Sequence, residues 1–191
     1  GDGKSNWIFE SNSQIRLQKH GDNSLCISQK NAYGNTPGIH DILLNLDVAV
    51  EATSVSDNKH SPENVIDSNL SSYWASSTFS DDYEHLVELT IDLNQLVEVS
   101  RIKIYWEYAP LHYHISTSID NQNYKILAEN LANPSMITID TLKNVETRYI
   151  KVVMVKPHPS HGKIEGDSYL YGIRSIEVQA NNLDTVVTYC R

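Results

Sequence analysis

The chain predicts an all-β fold, an antiparallel β-sandwich of jelly-roll form. Three observations carry this: short runs that alternate apolar and polar residues, turn clusters between them, and weak helical periodicity throughout. Alternation at period two marks a strand that buries one face, and many short strands at regular spacing suit two packed layers.

Taken in order, Trp7-Ile8-Phe9, Gln14-Ile15-Arg16-Leu17 and Leu25-Cys26-Ile27-Ser28 form an N-terminal extension over residues 1–47, expected to pack as extra strands on the sandwich. Turn signals follow at Asn31-Ala32-Tyr33-Gly34 and Thr36-Pro37-Gly38. Asp41 to Leu46 is the best helical candidate and is brief. The main domain is expected over residues 48–180, with a C-terminal segment, 181–191, carrying Cys190. Its strands read as His85 to Leu93, Val99 to Trp106, Tyr113 to Ser118, Tyr124 to Leu127, Met136 to Ile139, Tyr149 to Val155 and Ser175 to Val178. Along Arg148 to Met154, the apolar set Ile150, Val152 and Met154 is expected to join the core, with Tyr149, Lys151 and Val153 on the opposite face. Trp74 and Trp106 are expected as core anchors, because a buried indole supplies much of a small domain's apolar area.

The stretch from Glu63 to Trp74 concentrates oxygen-bearing side chains. Asp67, Asn69 and Ser72 suit a calcium ion, which takes several carboxylate and carbonyl oxygens. The same residue types also build turns that bond their own backbone, so both readings stand.

A resemblance rests on six pieces in order. They are Glu63-Asn64-Val65-Ile66-Asp67 with Ser71-Ser72-Tyr73-Trp74, Leu89-Thr90-Ile91-Asp92-Leu93, Ile102-Lys103-Ile104-Tyr105-Trp106, Tyr113 to Asn121 with Tyr124, Arg148-Tyr149-Ile150-Lys151-Val152, and Tyr171 to Val178. Together they resemble the discoidin domain, also called the coagulation factor V/VIII type C domain, itself similar to family 32 carbohydrate-binding modules. The N-terminal segment is spaced somewhat like one ricin-type repeat, and the layout is weakly similar to that of LCCL/lectin adhesive-like proteins.

The resemblance implies a structural calcium site at Asn64, Asp67, Asn69 and Ser72. Ser175 stands where calcium-binding relatives carry a glutamate, so Glu177, two residues on, is the candidate replacement, and an empty hydrogen-bonded turn is the favoured expectation. The sequon Asn69-Leu70-Ser71 lies in this turn and is expected to stay unmodified, since a sugar would conflict with a compact, inward-facing conformation. The resemblance also implies a disulfide between Cys26 and Cys190, with free thiols, or a partner cysteine elsewhere in a larger protein, as the alternative. On the chain-entropy account a bridge closing about 165 residues stabilises by roughly 5 kcal/mol at most. It would place maturation in an oxidising, extracellular compartment.

Ligands of the resembled family bind at loops at one end of the sandwich, here Ser54 to Pro62, Ala75 to Glu84, Glu107 to His112 and Pro157 to Ser168. A sugar needs an apolar platform with donors and acceptors around it. Phe79, Tyr83 and Tyr108 are the candidate platform, with Asn58, His60, Asp82 and His112 as polar partners. Two functions follow: a glycan-binding module, or a protein-binding adhesion or assembly module of a larger secreted multidomain protein.

Composition narrows the partners. A formal net charge of −9 and the lack of a basic stripe argue against nucleic acid, which needs clustered lysine and arginine. They also argue against anionic lipid, as does the single valine in Val55-Ser56-Asp57-Asn58-Lys59-His60. No apolar run has the length of a spanning helix. No nucleophile elbow, zinc-protease helix or phosphate loop accompanies the His158 and His161 pair, and the chain reads as a non-enzyme.

Overall fold

A computed structural model of the chain describes residues 14–20, 24–30, 43, 46–180 and 189–190. Its strands are β1 (Gln14–His20), β2 (Ser24–Lys30), β3 (Ala49–Ala52), β4 (Trp74–Ala75), β5 (Val87–Tyr108), β6 (Pro110–Ser118), β7 (Lys125–Asn130), β8 (Ile137–Pro157), β9 (Lys163–Ile164), β10 (Ser168–Tyr169), β11 (Gly172–Gln179) and β12 (Tyr189–Cys190). The chain divides into two compact units, residues 40–181 and residues 1–39 with 182–191.

In the larger unit one antiparallel sheet runs β4-β11-β5-β8-β6-β7, with β3 added to β5. Its two long strands make the sandwich. The first part of β5 pairs β3 and the second part of β8, while the later part of β5 pairs β11 and the first part of β8. Between these parts the register breaks at Asp92/Val97 and again at Val99/Arg101. Asn94 (φ 57°) and Asn144 (φ 49°) sit at these breaks in left-handed backbone, which asparagine tolerates. Bulges bend a strand, so β5 and β8 each pass from one layer into the other. The sequence expectation of two strands for each of these stretches therefore becomes one bent strand. The turn chemistry was present, but it marks a corner of a strand and not a hairpin.

The core lies between the layers. Trp74, Ile91, Leu89, Ile104, Ile115, Ile150, Val152, Met154 and Ile173 have no exposed surface. The expected inward set on β8 is thus buried, and so is Val153, on the other face, which Glu88 and His114 flank in register. Trp74 and Trp106 are both core residues, and each indole N–H is satisfied: Trp74 Nε1 donates to Ser54 O at 3.2 Å and Trp106 Nε1 to Thr138 Oγ1 at 3.1 Å. Tyr113, packed on Trp106, donates its hydroxyl to Asp140 at 2.9 Å. Burial pushes Tyr113 up to about 12 and raises the Asp140 carboxyl above its ordinary value.

In the smaller unit β1 pairs β2, and β12 pairs β2, in a three-stranded sheet of their own. Cys190 stands in register opposite Cys26. Trp7-Ile8-Phe9 and most of Asp41 to Leu46 lie outside the described residues.

Candidate functional site

The four stretches expected as recognition loops are joined in pairs by backbone hydrogen bonds, and of Glu107 to His112 only Ala109 lies outside β5 and β6. Ser56 N donates to Ala75 O and Ala75 N to His60 O, joining the loop after β3 to β4. Ala109 exchanges bonds with the loop after β8, donating to His161 O and accepting from His158 N, each at 3.1 Å. Phe79 and Tyr169 exchange bonds at 2.7 and 2.9 Å. The loops are therefore anchored on the sheet ends, which lowers the ordering cost of binding.

At this end an aromatic and charged cluster forms around Tyr73. The His60 ring lies 4.3 Å from the Tyr73 ring, and the Tyr108 ring meets Tyr73 edge-on at 6.1 Å. The Arg174 guanidinium stands 6.0 Å from the Tyr73 centroid, donates to Leu70 O at 2.6 Å and pairs with Glu107. Asp57 accepts His60 Nδ1 at 2.9 Å and the backbone N–H groups of Lys59 and His60, and these bonds hold its carboxyl below the usual range. Burial, with Tyr73 and Glu107 nearby, raises the Tyr108 hydroxyl, which stays a donor. Aromatic faces beside a fixed guanidinium, carboxylate and imidazole match what a sugar offers: C–H faces and hydroxyls.

Two glycines seat these parts. A Cβ on Gly172 would stand 2.8 Å from Tyr108 Cδ2 and 3.2 Å from Glu107 Cβ, so only glycine lets that ring lie across β11. A Cβ on Gly162 would meet His158 N at 2.9 Å and Ala109 O at 3.0 Å, where the loop after β8 touches the β5–β6 corner.

The expected ligand residues divide among four places. His60 and Tyr108 join the Tyr73 cluster. Phe79 is half-buried, stacked on His85 at 4.2 Å and edge-on to Tyr171 at 5.4 Å, so one of its faces is occupied. Tyr83 is 71 % exposed, Asn58 is exposed, and Asp82 is half-buried near Lys163, whose charge is favoured first by Asp167 and last by Asp82. His112 turns to Glu129, with Nε2 and Oε1 3.2 Å apart. Sequence reasoning missed Tyr73, Glu107 and Arg174. Each had a signal: Tyr73 must face away from the core when its neighbour Trp74 is buried, and Glu107 and Arg174 are charges at the open ends of apolar strands.

In the turn from Glu63 to Trp74, Asp67 Oδ1 accepts Asn69 N at 2.8 Å and Oδ2 accepts Ser72 Oγ at 2.6 Å. Ser72 Oγ also reaches Asn69 O at 2.7 Å, and Asn69 Oδ1 accepts Ser71 N at 3.0 Å. The Asn64 amide points its Nδ2 donor at Lys59 O and Tyr73 O, at 2.7 and 2.9 Å. Glu177, the candidate replacement ligand, accepts Tyr105 Oη at 2.9 Å and faces Lys103 at 3.8 Å. The Arg174 cation is bonded to Leu70 O of the same turn, so the chain's own donors occupy several of the oxygens that a calcium ion would take. Asn69 is exposed, so burial does not by itself shield the sequon, contrary to the inward-facing turn expected. At the histidine pair, rings 4.5 Å apart, His158 Nδ1 accepts Ser160 N and His161 N at 3.1 and 3.0 Å and so caps its own loop.

Among solved structures, the chain is similar to chitosan-binding module 2 of a chitosanase/glucanase from Paenibacillus sp. IK-5, in complex with chitotriose, at 20 % identity and TM-score 0.61, covering 72 % of this chain and 99 % of that one. It is similar also to the family 32 module of Clostridium perfringens NanJ, in complex with galactose, at 18 % identity and TM-score 0.54, covering 69 % and 92 %. A family 89 glycoside hydrolase from Clostridium perfringens aligns at 28 % identity and TM-score 0.53 over 71 % of this chain, but over only 14 % of its own. A search of curated protein sequences found no match. The sequence profile of the F5/8 type C domain matches residues 49–165, more than half of the 191, and the chain belongs to the F5/8 type C, or discoidin, domain family.

Proposed function

We propose that the chain is a non-catalytic glycan-binding module whose site is the cluster of His60, Tyr73, Tyr108, Glu107 and Arg174. The observation that carries this reading is the convergence of two tyrosine rings with a fixed guanidinium–carboxylate pair at the loop end of the sandwich. A sugar ring would rest a C–H face on an aromatic ring, while Arg174, Glu107 and His60 bond its hydroxyls. Phe79, Tyr83, Asp82 and Asn58 would extend the site for a longer saccharide. Chitotriose and galactose, bound by the two similar modules, name the first classes to try: glucosamine-type oligosaccharides and terminal galactosides. The turn from Glu63 to Trp74 supports Tyr73 from beneath through its own hydrogen bonds, with no cation required.

Secretion as part of a larger protein, with Cys26 bridged to Cys190, is part of the same reading. Directly opposed residues of an antiparallel pair have Cα atoms about 4.5–5.5 Å apart, inside the range a disulfide spans.

The test is a glycan array with the intact chain, followed by calorimetry on any hit, with Tyr108→Ala beside it. Binding of a galactoside or glucosamine oligosaccharide that Tyr108→Ala abolishes supports the reading. Silence across the array, with capture of one defined extracellular protein, replaces it with the adhesion module.

A further inference from the structure

A second cluster with ligand chemistry lies on the sheet, apart from the Tyr73 group. His112 and His114 stand two residues apart on β6, so their side chains share one face of that strand, and Glu129 of β7 is the register partner of His114. One donor atom from each of the three lies within 4.8 Å of the others, and His112 Nε2 is 3.2 Å from Glu129 Oε1. Tyr113 and Ile115, which alternate with the histidines, are locked in the core at 1 % and 0 % exposure, so the backbone carrying both imidazoles is rigid.

We propose that His112, His114 and Glu129 form a binding site for a divalent transition metal, zinc first. Two imidazoles and one carboxylate are a known zinc donor set, leaving a fourth position for water. Tetrahedral bonds of about 2.0–2.1 Å set the ligand atoms roughly 3.3 Å apart. The His112–Glu129 separation already meets this, and rotation of the two imidazoles and of the exposed Glu129 carboxylate would close the other separations, each within 4.8 Å. Burial, ahead of the charges of Glu129, His112 and Glu88, depresses the His114 imidazolium and favours the neutral ring that metal binding needs. Glu88 faces the site from β5 but is held by Lys151 at 2.8 Å, and Lys156 stands opposite His112 in register. The nitrogen donors select against calcium, which takes oxygen. The ligand set shares no residue with the Tyr73 cluster, so the proposal stands or falls apart from the glycan reading.

The experiment titrates Zn2+ into the intact chain by calorimetry, with Co2+ absorbance to report coordination and NMR of the unmodified chain to report which imidazoles respond. The expected result is one Zn2+ per chain, perturbation of the His112 and His114 rings, and affinity lowered about tenfold or more in both His114→Ala and Glu129→Gln. His158→Ala with His161→Ala leaves it unchanged. Absence of saturable zinc binding overturns the proposal. So does binding that leaves the His112 and His114 resonances unmoved, or that survives intact in Glu129→Gln, an exposed and near-isosteric change that keeps the fold.

Discussion

Gly172 holds no side chain because the ring of Tyr108 fills the place where one would stand, 2.8 Å from the position of its Cβ. This contact joins β11 to the end of β5 and fixes the angle at which Tyr108 meets Tyr73. A methyl group there must displace the ring. Gly172→Ala is expected to keep the β-rich circular dichroism spectrum, lose about 1–3 kcal/mol of stability in urea unfolding, and lose saccharide binding along with Tyr108→Ala. Unaltered binding in Gly172→Ala would separate Tyr108 from the site.

Arg174 ties the aromatic cluster to the turn beneath it through Leu70 O and to Glu107. Replacement by lysine keeps the charge but removes the planar fork. Arg174→Lys is expected to weaken saccharide binding about tenfold, or about 1.4 kcal/mol, by calorimetry. Equal affinity in the variant would take Arg174 out of the recognition set.

The oxygens of Asp67 and Asn69 already accept hydrogen bonds from the turn's own donors, the Ser72 hydroxyl among them. The melting temperature is therefore expected to stay the same in calcium and in chelator. Asp67→Ala, by contrast, removes two hydrogen bonds and should cost about 1–3 kcal/mol. A rise in Tm with calcium would restore the metal reading.

Arg148 grips Asp92 through Nε and Nη2 at 2.8 and 3.0 Å, and its hydrogen bonds outweigh burial to depress the Asp92 carboxyl. A depressed folded-state value means that the ionised carboxylate stabilises the fold. This contribution is complete above the unfolded value of about 4 and is lost as pH falls through the lower folded one. Asp120 behaves alike, held low by the backbone N–H groups of Asn123 and Gln122 and the Asn123 amide. Urea midpoints should thus fall below about pH 4, less steeply in Asp92→Asn, and stay level from there to neutrality with respect to these two groups. A variant that tracks the parent at every pH would remove Asp92 from the account.

Cys26 and Cys190 occupy opposed register positions on β2 and β12. Alkylation of the unreduced chain, expressed by export into an oxidising medium, is expected to label neither cysteine, and labelling after reduction to mark both. Full labelling without reduction would leave them as thiols.

Much of this protein was legible in one dimension because burial is periodic. Alternation along Arg148 to Met154 named Ile150, Val152 and Met154 as core, and the two indoles carried too much apolar area to be left outside. Turn chemistry was visible too, but asparagine in left-handed backbone serves a hairpin and a strand corner alike. The expected strands stopped at Leu93 and Ile139, and only the paired register showed β5 and β8 running on through Asn94 and Asn144. The proposed recognition cluster was half legible. His60 lies on a loop and Tyr108 in a stretch expected as one, though it ends β5, whereas Tyr73, Glu107 and Arg174 come from a turn and two strands and were not singled out. Separate strands likewise supply His112, His114 and Glu129, and Cys26 opposite Cys190. A sequence records which way a side chain points along its own strand, through the pleat; which strand lies beside it is decided by long-range pairing, and that exists only once the sheet has closed.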